Sequence, residues 1–258
     1  MLDFITDKGE NDEWYDREEV LVKSLIIIPA YNEEDNLVNV VENIRKTHPE
    51  IDYLIVNDGS TDNTERICKL NHFQFISLPI NLGIGGAVQA GYRYALQNDY
   101  DIAIQMDGDG QHDPQYLDKL IEPIINSQAN ATIGSRFLKK EGFQSSGTRR
   151  LGIRMLSGLI YICTRTRIKD VTSGYRAVDR NLINIYASNY SLDYPEPEAI
   201  VTAVVHGMKI QEVPVIMKER MAGKSSINLK KSIYYMVKVS LAVIIGRISL
   251  GFRRTKKG

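Results

Sequence analysis

An alternation constrains this chain more than any other feature. Ser24 to Ala30 (SLIIIPA) is an unbroken apolar run, the pattern of a strand buried on both faces, and Leu37, Val40, Val41 and Ile44 follow it at helical spacing. The unit then returns: Tyr53 to Val56 with a helix from about Asp62, Phe73 to Ser77 with a helix across Gly85 to Gln97, and Asp101 to Met106 with Leu117, Leu120, Ile121 and Ile124. Strands that alternate with helices predict an α/β domain, a mostly parallel sheet covered on both faces in three layers. The 258 residues suffice for one such domain with a substantial core.

In open sheets of this kind the loops leaving the carboxyl ends of the strands form the ligand crevice. Polar residues gather in these loops: Pro29 to Glu33, Asn57 to Ser60, Asn81 to Gly86 and Asp107 to Gln111. Asp107-Gly108-Asp109 is the centre of this set. Two carboxylates one residue apart at a strand end offer hard oxygens to Mg²⁺ or Mn²⁺, whose octahedron a diphosphate and water complete. Gln111 adds an amide oxygen, and His112 or Asp113 lies close enough to support the shell. A plain turn reading competes, since aspartate beside glycine is common in turns.

Asp58 sits at the crevice edge, where its carboxylate suits a base N–H or a ribose hydroxyl. Ser60 or Asp62 is expected to cap the helix that follows. Tyr31 suits stacking on a base and Glu33 a ribose hydroxyl, although Glu33 and Glu34 also fit as first-turn acids complementing a helix dipole. Gly83, Gly85 and Gly86 lack the G-x-G-x-x-G spacing and follow the third strand, which disfavours a nicotinamide enzyme. They let backbone approach a nucleotide, or let the helix through Gly91 pack closely. Arg136 is placed to counter a diphosphate charge, and Arg149, Arg150 and Arg154 to do the same or to contact an acceptor phosphate.

Charge is unevenly spread. The first twenty residues hold eight acidic and two basic side chains, whereas Lys218 to Gly258 holds eleven basic and one acidic. Apolar residues woven through that basic end (Ile233, Met236, Val237, Leu241, Ile244, Ile245 and Ile248) favour a membrane surface over nucleic acid. Lys238 and Arg247 interrupt the only stretch near the roughly 20 apolar residues of a spanning helix, and suggest two shorter helices meeting near Gly246. A helix packed on its own domain or on a dimer partner is the competing reading. Two cysteines, Cys68 and Cys163, show neither metal spacing nor a disulfide framework, and the acidic start does not read as a secretory signal. A cytosolic location is expected.

In order along the chain, IPAYNEEDNL, IVNDGSTDNT, NLGIGGAVQAGYRYA, MDGDGQHDPQYL, IGSRF, DVTSGYRAVDR and KIQEVPVIMKERMAGKSS resemble the family 2 glycosyltransferases, and among them the polyprenyl-phosphate (dolichol-phosphate mannose synthase-like) sugar transferases. The resemblance spans about Leu25 to Asn228. It implies a GT-A fold, with Pro29, Tyr31, Glu33, Asp58, Gly83 and Gly108 around the nucleotide, Asp107, Asp109 and Gln111 on the divalent metal, and Arg136 and Arg220 facing phosphates. The family often has two acids where this chain has Asn57-Asp58, so the base contact falls to Asp58 alone. Glu196 or Glu198 occupies the region where relatives with hydroxyl acceptors place a base; Asp107, Asp109, Arg136 and Glu198 are the residues expected to take part in the chemistry.

The expectation is an inverting, metal-dependent transfer of a hexose, from UDP-glucose, to a polyprenyl phosphate by a peripheral protein on the inner face of the plasma membrane. Transfer to a hydroxyl of a lipid-linked or polysaccharide glycan, and a noncatalytic nucleotide-sugar-binding subunit, are the alternatives. The expected organisation is an acidic arm over 1–22, a catalytic domain over 23–226 and amphipathic basic helices over 227–258. A homo-oligomer and a small membrane-protein partner are expected besides.

Overall fold

A computed structural model describes residues 22–139, 141, 147–192, 195–218, 240–241 and 244–245. Seven strands form one mixed sheet in the order β3-β2-β1-β4-β6-β5-β7. The first four are β1 (Ser24–Ala30), β2 (Asp52–Asn57), β3 (Phe75–Ser77) and β4 (Ile102–Gln105), all parallel. β5 (Ala131–Ser135) and β7 (Ile210–Pro214) run with them, and β6 (Arg176–Asp179) lies antiparallel between β4 and β5. The expected strands are present at these places, with β3 shortened to three residues at the sheet edge.

β1 shows why an unbroken apolar run is needed. Ile26 and Ile28 face one core, beneath α1 (Leu37–Thr47) and α4 (Leu117–Ile125), while Leu25 and Ile27 face the other. The second core lies beneath α3 (Gly83–Gln97), α6 (Arg180–Ser188) and α7 (Pro195–Val205). The period of two along a strand sends alternate residues to opposite layers, so a central strand covered twice is apolar along most of its length, with Gln105 at the end of β4 a buried exception. α2 (Thr64–Leu70) adds Cys68 to the first core. A third cluster at the β5 end joins α5 (Gly147–Thr164) to α7 through Ile153, Leu156, Ile160, Ile200 and Val201.

Two sequence expectations change here. Asn63, not Ser60 or Asp62, is the cap residue of α2, and its side chain makes no capping bond; the Asp62 carboxylate instead accepts from Thr64 N–H at 2.9 Å, one position along. Glu33 and Glu34 are not first-turn acids of α1, which has none. Glu34 reaches across to Asn63, accepting from its backbone and side-chain N–H at 3.0 and 2.7 Å, and so ties the first crevice loop to the second.

Among the described residues, no helix is long and apolar enough to cross a membrane. Residues 1–21 of the acidic arm, Arg220, Lys238, Gly246, Arg247 and nearly all of the basic C-terminal segment lie outside the described residues.

Candidate active site

The carboxyl ends of β1, β2 and β4 bring three predicted loops together. A Cβ on Gly108 would stand 3.2 Å from the Pro29 carbonyl and 3.7 Å from Glu33 Cγ, so the aspartate triplet lies directly on the loop after β1. Tyr31 on that loop is half exposed, its ring open to stacking. Glu33 accepts from Asn36 Nδ2 at 2.7 Å.

Asp58 is buried, and its Oδ1 accepts from Leu82 N–H at 2.7 Å. Burial pushes its carboxyl above the usual aspartate range, with the amides of Leu82 and Gly83 opposing the shift. It therefore anchors the loop entering α3, of which Gly83 is the first residue with φ +78°. Asn57, where the family often has an acid, holds the same turn from behind: its Oδ1 accepts from Ser60 N–H and its Nδ2 donates to Ser77. The neighbouring glycines serve packing within the chain. A Cβ on Gly85 would fall 2.1 Å from the Ser191 carbonyl, and one on Gly91 would fall 2.3 Å from Ile27.

At the triplet itself, Asp109 is buried and its Oδ1 accepts from Gln111 N–H at 3.1 Å. Gln111 is fixed by the segment after β7, because its side-chain N–H₂ donates to the Lys218 carbonyl and its backbone carbonyl accepts from Lys218 N–H. His112 stacks on Tyr175 at 4.7 Å, and its Nδ1 accepts from Asp107 N–H at 3.0 Å. Among the described residues no three His, Cys, Asp or Glu side chains gather as a metal cage. Two carboxylates and an amide fit a hard cation that takes the rest of its shell from diphosphate and water, and do not fit a closed structural site.

The far wall is built of buried charge. Arg136 grips Asp170 with Nε to Oδ2 and Nη2 to Oδ1, both at 2.7 Å, and the Arg136 N–H also donates to Oδ2. Glu212 on β7 steadies that partner, accepting from Lys169 and Asp170 N–H at 2.9 Å each. The expectation that Arg136 is available to a phosphate is thus modified: much of its charge is already matched within the wall. Arg176 is fully inside. Its Nε and Nη2 donate to the Ser173 carbonyl and its Nη1 to the Glu196 carbonyl. Around it stand Tyr92, Tyr186 and Tyr190, whose rings meet at 5.2–5.3 Å.

Glu196 and Glu198 both lie in the first turn of α7. Burial raises the Glu196 carboxyl above the usual glutamate range, Arg176 opposes that rise, and the nearby Asp107 adds to it. Glu196 thus shares the electrostatics of the triplet. The contact that sequence reasoning missed is Gly174: a Cβ there would lie 2.9 and 3.0 Å from the two Asp107 carboxylate oxygens. Only a residue without a side chain lets the Ser173–Gly174 turn press against that carboxylate, and Arg176 clamps the turn in place.

Residues 25–186 match the family model described as Glycosyl transferase family 2. The chain belongs to that family. Among family 2 relatives, a UDP-N-acetylglucosamine–dolichyl-phosphate N-acetylglucosaminyltransferase from Methanococcus voltae is 32% identical, over 74% of this chain and 83% of the relative. A polyprenol monophosphomannose synthase from Mycolicibacterium smegmatis is 29% identical, over 88% and 89%. Among solved structures, glucosyl-3-phosphoglycerate synthase from Mycobacterium tuberculosis, in complex with Mn²⁺, UDP and glucosyl-3-phosphoglycerate, superposes with a TM-score of 0.65 at 19% identity, covering 87% of this chain and 79% of that one. The fold is therefore GT-A, and this family 2 protein is a glycosyltransferase.

Proposed function

We propose that this chain moves a hexose, from UDP-glucose, to a polyprenyl phosphate with inversion at the sugar carbon, at the cytosolic face of a membrane. The observation that carries the acceptor is shared identity over most of the chain with two relatives that differ in sugar, N-acetylglucosamine in one and mannose in the other, while both names include a polyprenol-type phosphate. Asp107, Asp109 and Gln111 would hold Mg²⁺ or Mn²⁺, and a cation there supplies positive charge to the leaving diphosphate.

The rest falls to the protein. Tyr31 and Glu33, with Pro29, Asp58, Gly83 and Gly108 beside them, line the place for the nucleoside. The buried Asp109 and the doubly tied Gln111 keep the polar edge in one geometry before substrate arrives, which is where electrostatic catalysis gains most. A phosphate acceptor, with a second pKa of about 6, reaches the site already ionised and needs cations to position it rather than a base to deprotonate it. Arg150 and Arg154, exposed on α5, are the cations we assign to that role, with Arg136 contributing what its pairing to Asp170 leaves.

The test is direct. Purified protein with Mn²⁺, a panel of labelled nucleotide sugars and undecaprenyl phosphate should label the lipid, and Asp109→Ala should lower kcat/KM by about 100- to 1,000-fold, the scale of losing one preorganised electrostatic group. Labelling only of an added glycan would remove the phosphate acceptor. Undiminished transfer by Asp109→Ala would remove the metal-site assignment.

A further inference from the structure

From Gly147 to Lys169 the sequence carries six cations, Arg149, Arg150, Arg154, Arg165, Arg167 and Lys169, and no acid. Most of this stretch is α5, whose inner face is spent on the fold: Ile153, Leu156 and Ile160 are buried against Ile133, Val171, Ile200 and Val201. An outer helix of a globular domain ordinarily turns charge to solvent on its other face. α5 does not. Leu151, Met155 and Ile162 are 61, 66 and 69% exposed.

At 3.6 residues per turn these three fall within an arc of about 40°, opposite the buried face, and Gly158 lies among them. Arg150, Arg154 and Tyr161 run along one border of the ridge, all three exposed, and Arg167 stacks on the Tyr161 ring at 5.5 Å. Single exposed apolar residues need no explanation, whereas a ridge of three in register on an acid-free helix does. An apolar strip with arginine and an aromatic ring at its edge matches a helix lying in the headgroup region of a bilayer, aliphatic residues reaching the acyl boundary and cations meeting lipid phosphates.

We propose that α5 is a lipid-contacting helix, its Leu151–Met155–Ile162 ridge inserting into the headgroup region of an anionic bilayer while Arg167 meets lipid phosphates and Arg150 and Arg154, at the ridge border, are left to the acceptor phosphate. This deepens the polyprenyl-phosphate reading and rests on it for the reason a membrane is met at all. The helix packs on α7, whose first turn carries Glu196, so the insertion also sets how the crevice faces the lipid.

A probe at one position separates α5 from the basic C-terminal segment. In a Trp14→Phe background, which lacks the only tryptophan, full-length Met155→Trp is mixed with vesicles of phosphatidylglycerol and phosphatidylcholine carrying brominated acyl chains. Its emission should shift to the blue and be quenched at least twofold, while Leu70→Trp, on exposed α2, should show neither. Unshifted, unquenched emission from Met155→Trp on vesicles that the protein has bound overturns the proposal, as does a failure to bind them. The variant carrying Leu151→Glu, Met155→Glu and Ile162→Glu should bind such vesicles at least tenfold more weakly and transfer sugar to a short-chain polyprenyl phosphate dissolved in buffer as well as the wild type. Unchanged vesicle binding, or a dimer that falls to monomers in the absence of lipid, assigns the ridge elsewhere. If no polyprenyl phosphate accepts sugar yet Met155→Trp is quenched by lipid, the acceptor reading fails alone and the lipid-contacting helix stands.

Discussion

On the β1–β2 side of the crevice the loops are pinned to one another by hydrogen bonds near solvent. Asn32 N–H donates to Ser60 Oγ, Thr61 N–H to Asn32 Oδ1, and Glu34 N–H to Asp62. On the β5–β7 side the ties are ions removed from water: Arg136 with Asp170, and Arg176 with the carbonyls of Ser173 and Glu196. Hydrogen bonds at a wet edge are each worth about 0.5–1.5 kcal/mol, and water takes the place of either partner. A buried charge has no such substitute, so its partner is fixed once the fold is made. The side we assign to the nucleotide is thus able to adjust, while the opposite wall is rigid and fails abruptly when one member is lost.

The sharpest way to break that contrast is Asp170→Ala. It strips the bidentate partner from a buried guanidinium, for which about 3–5 kcal/mol of folding stability is the expected loss. Ser60→Ala, removing one exposed tie on the other side, should cost no more than about 1 kcal/mol by the same urea titration. Equal losses would mean that the two sides are held alike.

Gly174→Ala is next in size and reads out in catalysis. The atoms an added Cβ would meet are the two Asp107 carboxylate oxygens and, at 3.1 Å, Gln105 Nε2, all ends of side chains rather than backbone, so the carboxylate turns and the amide gives by a few tenths of an ångström while the fold keeps its shape. A misplacement of about 1 Å in a reacting group costs on the order of a hundredfold. We expect that loss in kcat/KM together with a higher Mn²⁺ requirement. Wild-type kinetics in this variant would show that the Ser173–Gly174 turn does not position the triplet.

How much of this was legible beforehand follows from the same division. β1, β2 and β4 announce themselves because both faces are covered and most of their residues are apolar, and their loops carry Asp58, Asp107 and Asp109 within a few residues of a readable strand end. The opposite wall sends no local signal. Arg136 lies 34 positions before the Asp170 that matches its charge, and Arg176 lies 20 before the Glu196 carbonyl it bonds. Nothing near either arginine distinguishes a cation held by the fold from one offered to a phosphate. β6 is four residues long and enters antiparallel, so neither length nor periodicity marks it. The α5 ridge was present in the sequence as an acid-free stretch, but which of its apolar residues are exposed depends on α7 covering the other face.

The smallest effect comes from Glu196→Gln, and it sharpens the comparison by separating an acid perturbed by the fold from a catalytic one. The fold raises this carboxyl above its ordinary value because burial disfavours the charged form more than Arg176 restores it. The contribution of such an acid to stability is fully present below its unfolded pKa of about 4.3 and is lost as pH rises through the higher folded value. The amide has no such loss. The difference in Tm, variant minus wild type, should therefore move in favour of the variant as pH rises from about 4. Transfer to a polyprenyl phosphate at neutral pH should change by less than about tenfold, because an ionised acceptor asks for no base. A loss of about 100- to 10,000-fold, the contribution of a general base, would make Glu196 that base and return the acceptor to a hydroxyl.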